Sequence, residues 1–477
     1  MGSLSQRIIP GAAHDSSARS LPPRCHPDSR IKLIARIMAW FNGQGQQELV
    51  LWITSPAGVG KSAVVQTFAE HLVKLKLLGA SVFFSRSNKR NNPLCVFITT
   101  AYQLAIRNEM YSNFVVERLS HDPELLNGDL QAQFTTFIVE PFVEKKIGTG
   151  GRQWGILLDG LDELDGEDAQ CEIINLITTF AHEHPDAPLA WIIASRPESH
   201  ISNTFDDDDV CHRCRSEYIP IDSTEASDDV ERFLRSSFKT IRKKFRYSVP
   251  SDWPSDTDFL KVTAAASGLF IYAEVVMRFI RDPHHADPAS RFKVLLSVID
   301  RSDGTSTKED PFIHLDALYH EILSSTSQSN LWPTAKQLLG FVSCQGVMSN
   351  ILRGCRWGSL RGMSILLDLT PHVIYTCVLK YHSTLRVPDL KGAHKEPLRI
   401  LHASFADYLK NPARSGKFYA GNDRDLNEDM GSRLLAIWNE CSGDDIGTSM
   451  YDVLAFILVT VLYQLLYQWK LRGTDTA

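Results

Sequence analysis

Little in this 477-residue chain points to a disulfide scaffold, a fibre or a strongly charged binder. Its nine cysteines are odd in number and fall at no framework spacing, which favours a reducing, intracellular setting. The net charge is only −6, so there is no strong positive field and composition gives nucleic acid no obligatory role. With 43% hydrophobic and 22% charged residues, wholesale disorder is excluded. The opening stretch, MGSLSQRIIPGAAHDSSARS, lacks the apolar core of a signal peptide, and Gln6 stands where a myristoylation pattern wants Ser or Thr. These readings place the chain in the cytoplasm. Long apolar runs are also scarce. The main one, at 453–469, has seventeen uncharged residues between Asp452 and Lys470, the short limit of a membrane span. Such a helix is either buried or in lipid. Gln464 and Gln468 share one face and argue for protein contact, so a C-terminal membrane anchor is the alternative. No internal repeat is found at a period of 20–50 residues.

What is present is an alternation of strand and helix signals. Residues 1–30, rich in Ser, Pro, Ala and Arg, carry no apolar period and read as a flexible leader. A helical pattern over 31–41 leads to the near-continuous apolar run LVLWI at 49–53. A turn of small residues follows, then a helical pattern over 61–78. Further strands are predicted at 80–85, 155–159, 189–195 and 218–221, with helices at 93–107 and 168–184. Buried strands separated by helices predict an α/β fold, a parallel sheet covered on both faces, with ligands at the carboxyl ends of its strands. Beyond residue 222 helical patterns dominate, at 226–238, 256–266, 269–281 and 289–299, with two more within 312–345. Between 350 and 401 the β-rich VIYTCVLKYHSTL and a strand-like LRILH predict a small helix-and-wing module.

SPAGVGKS, residues 55–62, sits between the first strand and the first long helix, the context that a P-loop demands. Backbone N–H groups of such a turn converge on phosphate oxygens, helped by the helix dipole. Gly58 and Gly60 permit close backbone approach around Val59, Lys61 would reach the β- and γ-phosphates, and the Ser62 hydroxyl would ligate Mg²⁺. The motif's first glycine is Ser55 here; if that position needs a positive φ, the change costs about 1 kcal/mol or more.

A second element lies about 100 residues on. GILLDGLDE places Asp159, Asp162 and Glu163 just past the end of a buried strand. Asp159 would hold the Mg²⁺ shell, and Asp162 or Glu163 would orient or polarise an attacking water. Three acids at one strand end are costly without a cation. The next strand ends in ASRPE, where Arg196 could reach a γ-phosphate. No Asn-Lys-x-Asp guanine reader is present, since NKRN at 88–91 fails at its last position, which favours adenine. Three other features carry less. Cys211 and Cys214 form a CxxC with no second pair at zinc spacing. The basic stretch 239–246 reads as a solvated helix face and the acidic 206–209 as an exposed loop.

LWITSPAGVGKS, ILLDGLDEL and WIIASRPE, in that order, resemble the NACHT domain of the STAND class of P-loop NTPases. The nearest likeness is to fungal NACHT and nephrocystin-like N-terminal domains. RCHPDSR at 24–30 and LHASFADYL at 401–409 are similar to blocks in those proteins, so the resemblance covers about 24–420. It implies an ATP/ADP-gated signalling switch, closed with ADP and self-associating with ATP, with at most slow hydrolysis. By motif match Lys61 and Ser62 are the phosphate and Mg²⁺ residues, Asp159 the Walker B aspartate, and Arg196 the sensor. His402 matches the winged-helix histidine that touches the β-phosphate of ADP. Gly268-Leu269-Phe270 falls where such proteins have a Gly-x-Pro turn against adenine; the proline is missing. The implied divisions are a leader (1–30), a nucleotide-binding domain (31–222), a helical domain (223–300), a winged-helix-like module (301–420) and a tail (421–477). The rival readings are a degenerate scaffold that keeps the fold without hydrolysis, marked by Ser55 and Phe270, and a true catalytic NTPase or kinase, against which no second substrate signature is seen.

Overall fold

Five short strands form one parallel sheet: β1 (Val50–Thr54), β2 (Leu78–Phe83), β3 (Trp154–Asp159), β4 (Leu189–Ser195) and β5 (Cys214–Tyr218). In this computed structural model the described residues are 1–441, apart from 20–21, 28, 44–47, 150, 213, 222, 283–284, 304–311, 328–330, 344–357, 390 and 395. The strand order is β2-β3-β4-β1-β5. Every residue of β1, β2 and β4 is buried, as their predominantly apolar runs require of strands flanked by helices. β5 lies four residues earlier than the sequence predicts. Only Cys214 of its CRSEY run is buried, as suits an edge strand, and the run so lacks the continuous apolar signal of the others.

The helices Lys61–Leu75 and Val96–Arg107 pack on β2. Trp191 of β4 is fully buried near Phe134, and Trp52 of β1 stacks on Phe205 with centroids 4.3 Å apart. Between β2 and β3 run Glu109–His121, Leu130–Phe134 and a π-helical segment, Thr135–Glu144. Pro141 inside that segment has no N–H for a regular helix, and the wider turn accommodates it.

The expected flexible leader is instead largely packed. Leu4, Ile9 and Ala12 are buried in the same core as the sheet, and the Phe83 N–H donates to Ala12 O at 2.9 Å, extending the β2 edge. Sparse apolar residues without a period gave no sign of this, because each is used singly against an existing edge.

The chain divides into two compact units. The first holds Met1–Arg86, Arg90–Lys239 and Ala266–Ala273, and the second Ser87–Lys89, Thr240–Ala265 and the described residues from Glu274 onward. The second is mostly helical, with Pro288–Asp303, Ile313–Ser327, Trp332–Ser343 and Ala403–Lys410 among its elements. Tyr319 is buried against Phe405 and Tyr408, and Arg414 forms a two-pronged bond to Asp316 at 2.7 and 2.8 Å. Here the β-rich reading is corrected: most of VIYTCVLK is helix Pro371–Val378. Thr370 caps it, Pro371 starts it, and Ile374, Cys377 and Val378 bury one face at helical spacing, so context overrides β-branched propensity. The wing reduces to the two-residue antiparallel strands β6 (Leu385–Arg386) and β7 (Arg399–Ile400). Among the described residues no single helix is long and apolar enough to cross a membrane; the run 453–469 lies outside them.

A phosphate-loop site at the strand ends

Parallel register sets the site. Thr54 pairs with Ser195 and Asp159 with Ala194, so β1, β3 and β4 end side by side. The residues that leave those ends are therefore neighbours: the turn from Ser55, the acids from Asp159, and Arg196.

In the turn, Gly58 (φ +81°) and Gly60 (φ +101°) are both left-handed, where a side chain is strained. Ser55 is fully buried and is not among the left-handed residues, so serine at the first motif position carries no backbone strain. The Lys61 ammonium donates to Ser55 O (2.5 Å), Pro56 O (3.0 Å) and Ser55 Oγ (3.2 Å). Burial lowers its pKa to about 8, and Asp162 opposes the shift. Val59 is buried.

Asp159 is 4% exposed, and its Oδ1 has no hydrogen-bond partner. Burial raises this carboxyl to about 6, while the Ser62 hydroxyl, Arg19 and Lys61 draw it down. An orphaned buried carboxylate oxygen beside a hydroxyl and a phosphate-type loop is a donor set suited to a hard divalent cation such as Mg²⁺.

Asp162 is engaged by Arg196, whose N–H donates to Oδ1 at 2.9 Å and whose Nε lies 3.3 Å from Oδ2. Glu163 accepts from the Arg86 N–H at 2.9 Å, and its carboxyl is raised to about 7, first by burial and then by Asp162. Such a group changes protonation near neutrality.

Several contributors were missed by sequence reasoning. The Arg19 guanidinium, on the packed N-terminal segment, lies 3.5 Å over the Phe83 ring and donates to Gln66 Oε1 at 2.6 Å. Arg30 and Asp229, both buried, meet behind the turn, and Arg30 Nη2 donates to Val59 O at 3.1 Å. No motif signalled Arg19, and Arg30 was noted only as the last residue of the RCHPDSR block, with no role given to it. Gly268 was singled out and is left-handed (φ +76°); a Cβ there would overlap Ile221 O. It directs Leu269 and Ile271 onto Gly58, whose O accepts the Ile271 N–H at 3.1 Å. Phe270, in place of the expected proline, begins the helix Phe270–Ile280.

The predicted residues Ser55, Gly58, Val59, Gly60, Lys61, Ser62, Asp159, Asp162, Glu163 and Arg196 all belong to the first unit. His402 belongs to the second, where it starts the helix Ala403–Lys410. Its Nδ1 accepts from the Ser404 N–H at 3.3 Å and lies 3.0 Å from Ser404 Oγ, which is 2.9 Å from the Tyr319 hydroxyl. Cys211 and Cys214 are free thiols, and among the described residues no group of three or more His, Cys, Asp or Glu side chains is arranged to hold a metal. Residues 239–246 are mostly exposed, and Asp206 to Asp208 lie at the surface.

A parallel sheet with a glycine turn after β1, a buried aspartate ending β3 and an arginine after β4 defines the P-loop NTPase class. Residues 35–196 match the family model described as Nephrocystin 3, N-terminal, and this segment is a NACHT-like P-loop NTPase domain. No curated protein matches the chain. Among solved structures it is similar to Cdc6p from Pyrobaculum aerophilum, at 12% identity and a TM-score of 0.34, covering 88% of this chain and 100% of that one.

Proposed function

We propose that this chain is an adenine-nucleotide switch of the STAND type, which binds ATP with Mg²⁺, hydrolyses it slowly, and self-associates in the ATP state. The observation that carries the reading is the unpartnered, buried Oδ1 of Asp159 at the end of β3, with the Ser62 hydroxyl drawing on the same carboxyl. Ser62 and Asp159 would hold Mg²⁺, which supplies charge neutralisation to phosphate oxygens. Lys61, predominantly cationic at neutral pH, would bind the phosphates in exchange for its bonds to Ser55 and Pro56. Glu163, poised near pH 7, is the group suited to take a proton from water. Asp162 serves by holding Arg196, the γ-phosphate sensor of the proposal. Adenine is favoured by the absence of a guanine reader and by the NACHT-like match. The histidine at 402 would contact the nucleotide in the closed state, as the resemblance implies.

The test is made on protein purified without added nucleotide, denatured, with the released nucleotide identified by chromatography. Near-stoichiometric ADP in the wild type, lost in Lys61→Ala, supports the proposal. Size-exclusion profiles with ATP and with ADP should differ. A wild type that is empty and ignores added ATP–Mg²⁺ overturns the proposal in favour of a nucleotide-independent scaffold.

A further inference from the structure

A phosphate-binding turn works when its N–H groups face the ligand, so its carbonyls must find donors on the other side. Here the Gly60 carbonyl is taken by Ala63 and Val64 of its own helix, at 3.0 and 3.1 Å. The Gly58 and Val59 carbonyls are held from outside the turn. Gly58 O accepts the Ile271 N–H at 3.1 Å, and Val59 O accepts Arg30 Nη2 at 3.1 Å.

Arg30 is itself fixed. It is 5% exposed, adopts a left-handed backbone (φ 57°) at the start of the helix Ile31–Asn42, and lies 5.3 Å from the Phe270 ring. Its N–H donates to Asp229 Oδ2 at 3.0 Å, and its Nε is 3.7 Å from the same oxygen. Asp229, 1% exposed, projects from the helix Thr224–Lys244, and its other oxygen bonds Arg232. A buried guanidinium and carboxylate cost desolvation and are retained where the pair fixes a geometry.

We infer that Arg30 and Asp229 are positioning residues for the phosphate-binding turn: Asp229 orients Arg30, and Arg30 pins the Val59 carbonyl so that the neighbouring N–H groups face the phosphates. The pair touches no ligand. It ties the turn to the helix Thr224–Lys244, so a displacement of that helix is felt as a change in phosphate affinity. This inference rests on the nucleotide-binding reading above.

The experiment uses the full chain and four variants, Arg30→Ala, Arg30→Lys, Asp229→Asn and the control Arg232→Ala, which removes a partner of Asp229 on its solvent side. ADP–Mg²⁺ affinity is measured by calorimetry, and amide hydrogen exchange over residues 58–62 is followed in the absence of nucleotide. Loss of one charge-assisted bond predicts affinity weaker by about tenfold in Arg30→Ala and Asp229→Asn. Arg30→Lys should recover part of it, Arg232→Ala should stay near wild type, and turn exchange should quicken in the two weakened variants. Wild-type affinity and exchange in Arg30→Ala overturn the inference. If Arg30→Ala does not fold, Asp229→Asn and Arg30→Lys decide on the same two readouts. If the wild type binds no nucleotide, the function proposal fails; turn exchange then decides the pair separately, quickened exchange supporting it and unchanged exchange refuting it.

Discussion

Arg196 is joined to Asp162 twice, by its backbone N–H to Oδ1 at 2.9 Å and by its Nε 3.3 Å from Oδ2. Asp162 is 7% exposed in its side chain and Arg196 24%, so the pair is shielded on the acid side and open on the guanidinium side. A carboxylate committed in this way orients its partner and is a poor base. In the proposed mechanism the proton-accepting role therefore falls to Glu163, whose carboxyl is raised to about 7, first by burial and then by Asp162.

Arg196→Ala should consequently weaken ATP more than ADP. Loss of a charged contact made to the third phosphate alone predicts that the ATP-to-ADP affinity ratio falls by about tenfold. Calorimetric titration with each nucleotide and Mg²⁺ measures it. Equal losses for the two would remove Arg196 from the sensor role.

Asp159 makes a prediction on stability. Its folded pKa, about 6, lies above the ordinary 3.8, so the folded state binds the proton more tightly than the unfolded state. Stability from this group is present below pH 3.8 and is lost as pH rises through 6. Asp159→Asn should then stabilise the nucleotide-free protein by about 1–3 kcal/mol at pH 7, and by little near pH 4. The same variant should lose its response to Mg²⁺. Denaturant titrations at the two pH values check it, and a destabilised variant at pH 7 would contradict the assignment of an uncompensated charge.

The parts of this site that were legible in the sequence are those where chemistry demands a residue type at a fixed offset from a buried strand. The glycines of 58 and 60, Lys61, Ser62, Asp159 and Arg196 follow runs whose unbroken apolar character locates β1, β3 and β4. Ser55 looked like an erosion of the motif, yet its backbone is not left-handed and its hydroxyl lies 3.2 Å from Lys61 Nζ. What stayed hidden depends on long-range approach. Arg19 reaches Gln66, 47 positions away, and Arg30 reaches Asp229, 199 positions away. Neither stands in a periodic pattern, since one polar side chain turned inward leaves no repeat. β5 and the helix Pro371–Val378 were misread for a related reason: edge position and capping decided them, and composition did not.

His14 predicts the acid side of the stability profile. It is 7% exposed, its ring Nδ1 lies 3.1 Å from Ser81 Oγ, and burial lowers its pKa below 6.5, with Asp15 opposing. The unfolded state therefore binds the proton more readily. Stability from His14 is complete above pH 6.5 and is lost as pH falls towards the folded pKa. His14→Gln should flatten the decline of stability between pH 7 and 5 relative to wild type. An unchanged slope would show that the N-terminal segment is not held against β2 in solution.

The closest packing at the turn gives a steric prediction. Gly58 is left-handed at φ +81°, and a Cβ there would overlap Ile271 Cγ2 and come within 3.3 Å of Leu269 Cδ1. Gly58→Ala thus suffers two costs, backbone strain and a clash, together about 1–3 kcal/mol. Only the second is relieved by shortening the neighbour. The double variant Gly58→Ala/Ile271→Ala should recover part of the stability lost by Gly58→Ala, beyond what the two single variants predict by addition, because the residues are in contact. Strict additivity in a thermal-unfolding cycle would mean that Ile271 does not rest on the turn. Positive coupling accompanied by restored nucleotide affinity would show that the 268–271 segment sets the shape of the phosphate loop as well as covering it.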